Sequence, residues 1–280
     1  MIIYIITSAR MEECYIKEWI DYHLNLGIDK IIINDNNDKD YPYQLKDILK
    51  QYIDNDQVII EKYYDTHKLE KKTSERELAR IYTWLYNKYK NEFDWCLKND
   101  IDEFLEIPET NNDIKKFLAQ DKFKNAKCIN IYWKKYKIKP EYSLYYSSDS
   151  IFDRFISKEI NTNEITCGCK CFIKSLAEEV HFNHHVAIIN DFYDVCGNKI
   201  NSVHMNTFTI DEYNKLINIC HLKHFRLKSA EEELYKYKYK MQFGIDSHIY
   251  MYDKYLTQYP ELKNFNRDLY KIYLMDHETS

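Results

Sequence analysis

The stretch "FDWCLKNDIDEFLEI", Phe93 to Ile107, decides how this chain is read. Its first half is an apolar run built on Phe93, Trp95, Cys96 and Leu97, the length of a buried strand. Three acids follow, Asp100, Asp102 and Glu103, and then a second apolar pair, Phe104 and Leu105. So much negative charge at the mouth of a strand has two readings. Asp100 or Asp102 caps a turn that begins at Glu103, or the acids face a ligand.

The residues before this stretch have a clear rhythm. "IIYIIT" reads as a strand. From Glu13 to Leu26 the positions Ile16, Trp19, Ile20, His23 and Leu24 fall on one helical face, and Gly27 supplies the stop. "KIIIND" is a second strand, ending in the polar loop "DNNDKD". Leu45, Ile48, Leu49, Tyr52 and Ile53 make another helical stripe, and "QVIIEKYY" a third strand. A longer helix opens on a capping box, Ser74 with Glu77. Its stripe runs through Leu78, Ile81, Tyr82, Leu85 and Tyr89 into the fourth strand, "FDWCLKN". Three alternations of strand and helix predict βαβ units in a mostly parallel central sheet flanked by helices. Ligands of open α/β sheets bind at the carboxyl ends of the strands. Asp35 and Asn36 end the second strand and Asp100 to Glu103 the fourth, so the acids stand where a ligand belongs.

After Ile107 the rhythm loosens. Residues 112–120 suit a short helix and "AKCINIYWKKYKI" a strand, while 141–210 read as short strands and loops. From Ile210 the chain reads as helical and rich in Tyr and Lys. With no repeat and no Pro/Gly/Ser linker, we expect one continuous globule. Residues 1–107 form its βαβ half, and 108–280 a mixed α+β half with a helical C-terminus.

Composition excludes several classes. Among 280 residues are 27 Tyr and 13 Phe, which is not a disordered composition. A net charge of −5 argues against a nucleic-acid binder. No window reaches the roughly 20 apolar residues of a membrane span, and "MIIYII" lacks the form of a signal peptide. The expectation is a cytoplasmic protein, with peripheral docking on the inner face of a membrane left open. Of eight Cys, the tight set "CGCKC" alternates, which suits buried thiols on one strand face better than a zinc knuckle.

"DIDEFLEI" resembles the Asp-x-Asp-Glu-Phe core of glycosyltransferases with a GT-A fold, in particular the family 2-like and family 92-like group. "ARMEECYIKEWIDYHLNLGIDKIIINDNND" is similar to that group's opening block, through Glu18, Trp19, Tyr22, His23, Gly27, Asp35, Asn36 and Asn37. "DRF" (153–155), Lys170 with "HFNHH", and "HFRLKSAEEELYKYK" match two later blocks. Two departures stand out. Arg10, Met11 and Glu12 replace the usual Lys-Asn-Glu, and "TSERELAR" replaces a Gln-rich helix start.

The resemblance implies a Rossmann-like GT-A sheet and a metal-dependent, inverting transfer of a sugar from a UDP-sugar to a glycan or glycolipid. Galactose is the first choice of sugar. It implies Mn²⁺ or Mg²⁺ held by Asp102 and Asp100, with His224 as third ligand and His184 or His185 behind it. Asp100 would also face the ribose and Asp35 the base, with Arg10, Glu12 and Asn36 beside it. Arg226 and Lys228 are candidates for the diphosphate, as are Arg154 and Lys170. An inverting transferase needs a carboxylate base, for which Asp191, Asp194, Asp153 and Glu103 are candidates. The polysaccharide-synthesis setting follows from the resemblance alone. "YKYKYK", Tyr235 to Lys240, suits a solvated helix face, an anionic lipid surface or a sugar acceptor. Two other functions compete. A nucleotidyl- or phosphotransferase would carry a Gly-rich loop after the first strand, and this chain has no Gly before Gly27. A carbohydrate-binding protein on the same fold would need no intact acids.

Overall fold

The computed structural model describes residues 1–64, 75–160, 162–176, 178–183, 185–201, 205–240, 246–263 and 267–277. The chain folds as two compact units that interleave in sequence. One comprises residues 1–12, 16–134 and 159–224, the other 13–15, 135–158 and 225–280.

The first unit holds the predicted rhythm. Strands β1 (Ile3–Ala9), β2 (Lys30–Asp35), β3 (Val58–Glu61) and β4 (Trp95–Lys98) pair in parallel, in the order β3-β2-β1-β4. Helix α1 (Ile16–Asn25) links the first two and buries Ile16, Trp19, Ile20 and His23. It stops at Gly27, whose φ of 101° only glycine adopts easily. The stripe from Leu45 to Ile53 is not one helix but two short ones, α2 (Leu45–Ile48) and α3 (Lys50–Asp54), broken at Leu49. Helix α4 (Glu75–Tyr89) precedes β4; the proposed cap residue Ser74 lies outside the described residues.

Beyond β4 the sheet turns mixed. After β5 (Glu103–Glu106) and α5 (Ile114–Leu118), capped by Asp113, comes β6 (Cys128–Ile138). Strand β8 (Glu164–Lys174) inserts between β4 and β6, antiparallel to both. Because it is central, residues 167–173 are buried on both faces. Cys167, Cys169 and Cys171 are reduced thiols buried in the core, as the alternation predicts. Within 141–210, read as short strands and loops, a helical turn also occurs: α6 (Ile151–Arg154) runs into the three-residue β7 (Phe155–Ser157). The pairs β9 (His181–Phe182) with β10 (Ala187–Ile188), and β11 (Phe192–Tyr193) with β12 (Lys199–Ile200), are short antiparallel ribbons. Strand β13 (Met205–Thr209) pairs with β8, and a capping box, Thr209 with Glu212, starts α7 (Ile210–Ile217).

The region after Ile210 is not wholly helical. Residues His221–His224 form a strand, β14, antiparallel to β5. The second unit carries the C-terminal helices α8 (Ala230–Lys240), α9 (Asp246–Gln258) and α10 (Leu269–His277). Ala230, Leu234 and Leu262 form their buried cluster, and Tyr237 packs 5.9 Å from Tyr255. That contact makes part of "YKYKYK" a packed face. Among the described residues, no helix is long and apolar enough to cross a membrane.

Candidate active site

The acids close a turn between β4 and β5. The Glu103 amide donates to the Asp100 carbonyl at 3.1 Å, and the Asp100 amide donates back to the Glu103 carboxylate at 3.1 Å. The turn therefore ends at Glu103, where β5 starts, instead of beginning there, and the side chain that caps it is Glu103. Helix α1 holds this turn through its polar residues. Trp19 Nε1 donates to the Glu103 carbonyl at 2.8 Å, and Tyr22 Oη to the Leu105 carbonyl at 2.7 Å. His23 Nδ1 lies 2.8 Å from the Trp19 carbonyl, while its Nε2 accepts from the Leu105 amide at 3.4 Å. These bonds specify the neutral Nδ1–H tautomer. The Trp-x-x-Tyr-His spacing of the opening block is thus the spacing that clamps one helix onto β5.

The strand pairing then builds a cluster. In the β5–β14 register His224 stands directly opposite Glu103, and cross-strand partners share a face. His224 Nε2 lies 3.6 Å from Asp102 Oδ2. Asp102, Glu103 and His224 each offer one ligand atom, all within 4.8 Å of one another. Glu103 is fully buried, and among the described residues its Oε1 has no hydrogen-bond donor. Burial pushes its carboxyl up to about 7, against the pull of Lys170. Two carboxylates and an imidazole, one oxygen without a hydrogen bond though 3.6 Å from Lys170 Nζ, suit a divalent cation.

Asp100 stands apart from that trio. It accepts from Tyr82 Oη at 2.9 Å and Lys98 Nζ at 3.2 Å, and pairs closely with Lys170. Lys98 and Lys170 are almost wholly buried, whereas the Asp100 side chain is 39% exposed. Burial alone would raise the Asp100 carboxyl, but Lys170 and Lys98 outweigh it and hold it well below the usual range. Burial pushes Lys98 down to about 8; Lys170, gripped by Asp100 and Glu103, is raised despite its burial. Asp100 is a fixed carboxylate between two ammonium groups.

With this geometry in view, comparison with known proteins has a clear outcome. The sequence pattern of glycosyltransferase family 92 matches residues 11–268. The chain belongs to glycosyltransferase family 92. No curated protein matches it in sequence. Among solved structures it is similar to a glycosyltransferase involved in the glycosylation of the major capsid of PBCV-1. Identity is 13% over 62% of this chain and 60% of that one, with a TM-score of 0.25. The chain spans about 60% of that protein's length.

The remaining candidates of this family 92 chain fall into three places. At the carboxyl ends of β1 and β2, Asp35 Oδ1 accepts from the Asn37 amide at 2.9 Å and Oδ2 faces Lys62 Nζ at 3.2 Å. Asn37 accepts from the Met11 amide at 2.9 Å, the Asn36 amide donates to the Ala9 carbonyl, and Arg10 pairs with Asp38 at 3.0 Å. The "DNN" triplet therefore shapes the loop that carries Arg10 and Glu12. At the opposite end of the sheet, the Asp191 carbonyl accepts from the Lys127 amide beside the start of β6, and its carboxylate pairs with Lys199. Asp194 bonds Asn198 and closes the β11–β12 ribbon. In the second unit, Asp153 and Arg226 are exposed, while Lys228 donates to the Phe225 carbonyl at 2.9 Å. Arg154, also there, is fully buried against Glu232. His184 lies outside the described residues; His185 lies edge-on to Trp133 at 5.5 Å. Sequence reasoning passed over Lys98, whose signal was a lone Lys inside an apolar strand.

Proposed function

We propose that this chain transfers a sugar from a UDP-sugar donor to a glycan or glycolipid acceptor on a GT-A fold, with inversion and with galactose as the first sugar to test. Polysaccharide synthesis on the cytoplasmic side of a membrane is the setting the reading favours. The observation that carries it is the Asp102–Glu103–His224 cluster at the carboxyl end of the parallel strands, in a chain matching the family over residues 11–268.

In this reading Asp102, Glu103 and His224 hold Mn²⁺ or Mg²⁺. A bound divalent cation neutralises the charge that develops on a leaving diphosphate. The protein's part is positioning. Lys98, Lys170 and Tyr82 fix Asp100 beside the cluster as a permanent carboxylate, suited to a ribose hydroxyl or to a water on the cation. The Asp35–Asn37 loop, with Arg10 and Glu12, forms the base side. Donor contacts come mainly from residues 1–107, and the acceptor is received by 108–280. Glu103 opposite His224 serves as a ligand in preference to a base. Asp191, at the far end of the sheet, has no role in the transfer.

UDP release by purified protein, measured across a donor panel with Mn²⁺ and with EDTA, tests the reading. One donor should release UDP, and release should vanish with EDTA and in Asp102→Ala. Release that persists with EDTA and in that variant would overturn the cation site. Absence of both release and Mn²⁺-dependent UDP binding would overturn the donor assignment.

A further inference from the structure

Strand β8 places Gly168 in the middle of the buried sheet, one of only four glycines in the chain. Glycine inside a strand weakens it and marks a place that something approaches closely. Here the approaching group is an indole: a Cβ on Gly168 would lie 2.2 Å from Trp133 Cζ3 and 2.6 Å from Cε3. The sheet has given up a side chain to seat this ring.

The ring is seated against the candidate cluster. Its centroid lies 4.5 Å from that of His224, tilted by 40°, and Lys170 Nζ stands 5.5 Å from it. Trp133 is partly exposed, yet its Nε1 is buried and, among the described residues, has no hydrogen-bond partner. A buried indole N–H normally has one, and leaving it unmade is costly. A phenylalanine would fill the space over Gly168 without that cost. The N–H therefore has a use outside the protein's own bonds.

We propose that Trp133 is a sugar-contacting specificity residue: its indole N–H donates to a hexose hydroxyl beside the Asp102–Glu103–His224 cluster, and its ring supports the sugar's apolar face. The proposal rests on the glycosyltransferase reading for its ligand. The hydroxyl belongs to the donor sugar or the acceptor, and the test separates the two.

The test uses the full chain labelled with ¹⁵N. Of its four tryptophans, the Trp133 indole signal is assigned by its absence in Trp133→Phe. It should shift on adding UDP-galactose with Mn²⁺ and not with UDP alone; a shift confined to an acceptor glycoside places the hydroxyl on the acceptor. Trp133→Phe should bind UDP and Mn²⁺ within twofold of the parent but lose about tenfold in kcat/KM, the scale of one hydrogen bond. A deoxy-sugar lacking the bonded hydroxyl should penalise the parent chain by a similar factor and the variant hardly at all. Equal shifts with UDP and UDP-galactose together with none from an acceptor glycoside, or an unchanged kcat/KM, would overturn the proposal. So would loss of UDP binding in the variant, which would make Trp133 a prop for His224. If the parent chain binds no UDP, the donor assignment fails instead. Titration with methyl galactoside then decides Trp133 alone, a shifted indole supporting the proposal and an unmoved one ending it.

Discussion

Two buried lysines against one half-exposed aspartate define the site's electrostatics at the scale of single residues. Asp100 balances Lys98 and Lys170, so removing its charge leaves ammonium groups buried and under-compensated. Breaking a fully buried pair costs about 3–5 kcal/mol. Since Asp100 is partly solvated, Asp100→Asn should cost about 2 kcal/mol in urea unfolding, a discount for screening. Asp102→Asn, which leaves Lys98 and Lys170 their Asp100 partner, should cost under about 0.5 kcal/mol. His23 gives a second prediction. Burial lowers it to about 4, while the Trp19 carbonyl pulls the other way. Its folded value lies below the unfolded value of about 6.5. The folded state thus binds fewer protons, and this contribution, complete above about pH 6.5, is lost as pH falls toward 4. Between pH 7 and pH 5 the loss should be about 2 kcal/mol. The difference between parent and His23→Gln unfolding at the two pH values isolates it.

At the scale of elements, α1 and β5 act as one piece. Trp19, Tyr22 and His23 bond the backbone of Glu103 and Leu105, so the helix fixes the height and register of the strand that carries the acids. Trp19→Phe keeps the packing and removes one bond to a carbonyl that Asn99 also serves at 3.0 Å. The expected cost is about 1 kcal/mol, seen as faster amide exchange in residues 103–106. Gly27 ends the same helix at φ 101°, with Ile114 Cγ2 only 3.3 Å from where a Cβ would stand. Gly27→Ala should cost at least about 1 kcal/mol, read as a lower thermal midpoint. Strand β14 contributes one residue to the cluster, His224, and does so by register alone.

At the scale of the molecule, the alternation of the first hundred residues was legible because each element has a period long enough to read. The four parallel strands and their carboxyl-end acids follow from it. Strand β8 was harder: buried on both faces, it shows no polar alternation, and nothing local says that it runs antiparallel between β4 and β6. Strand β14 was missed because four residues with two His and one Lys carry no period, and its partner β5 is more than a hundred residues earlier. The same distance explains the site. Asp102 and His224 were read from motif resemblance, whereas Glu103 as their companion needs the β5–β14 register. The burial of Lys98 and Lys170 needs the sheet order, since lysine is seldom buried. Calorimetric titration of Mn²⁺ in the presence of UDP tests the proposal that Asp102, Glu103 and His224 hold one divalent cation while Asp100 does not. One site is predicted, weakened at least a hundredfold in Asp102→Asn and in His224→Ala but less than tenfold in Asp100→Asn. Undiminished binding in the first two variants, with loss in the third, would contradict it.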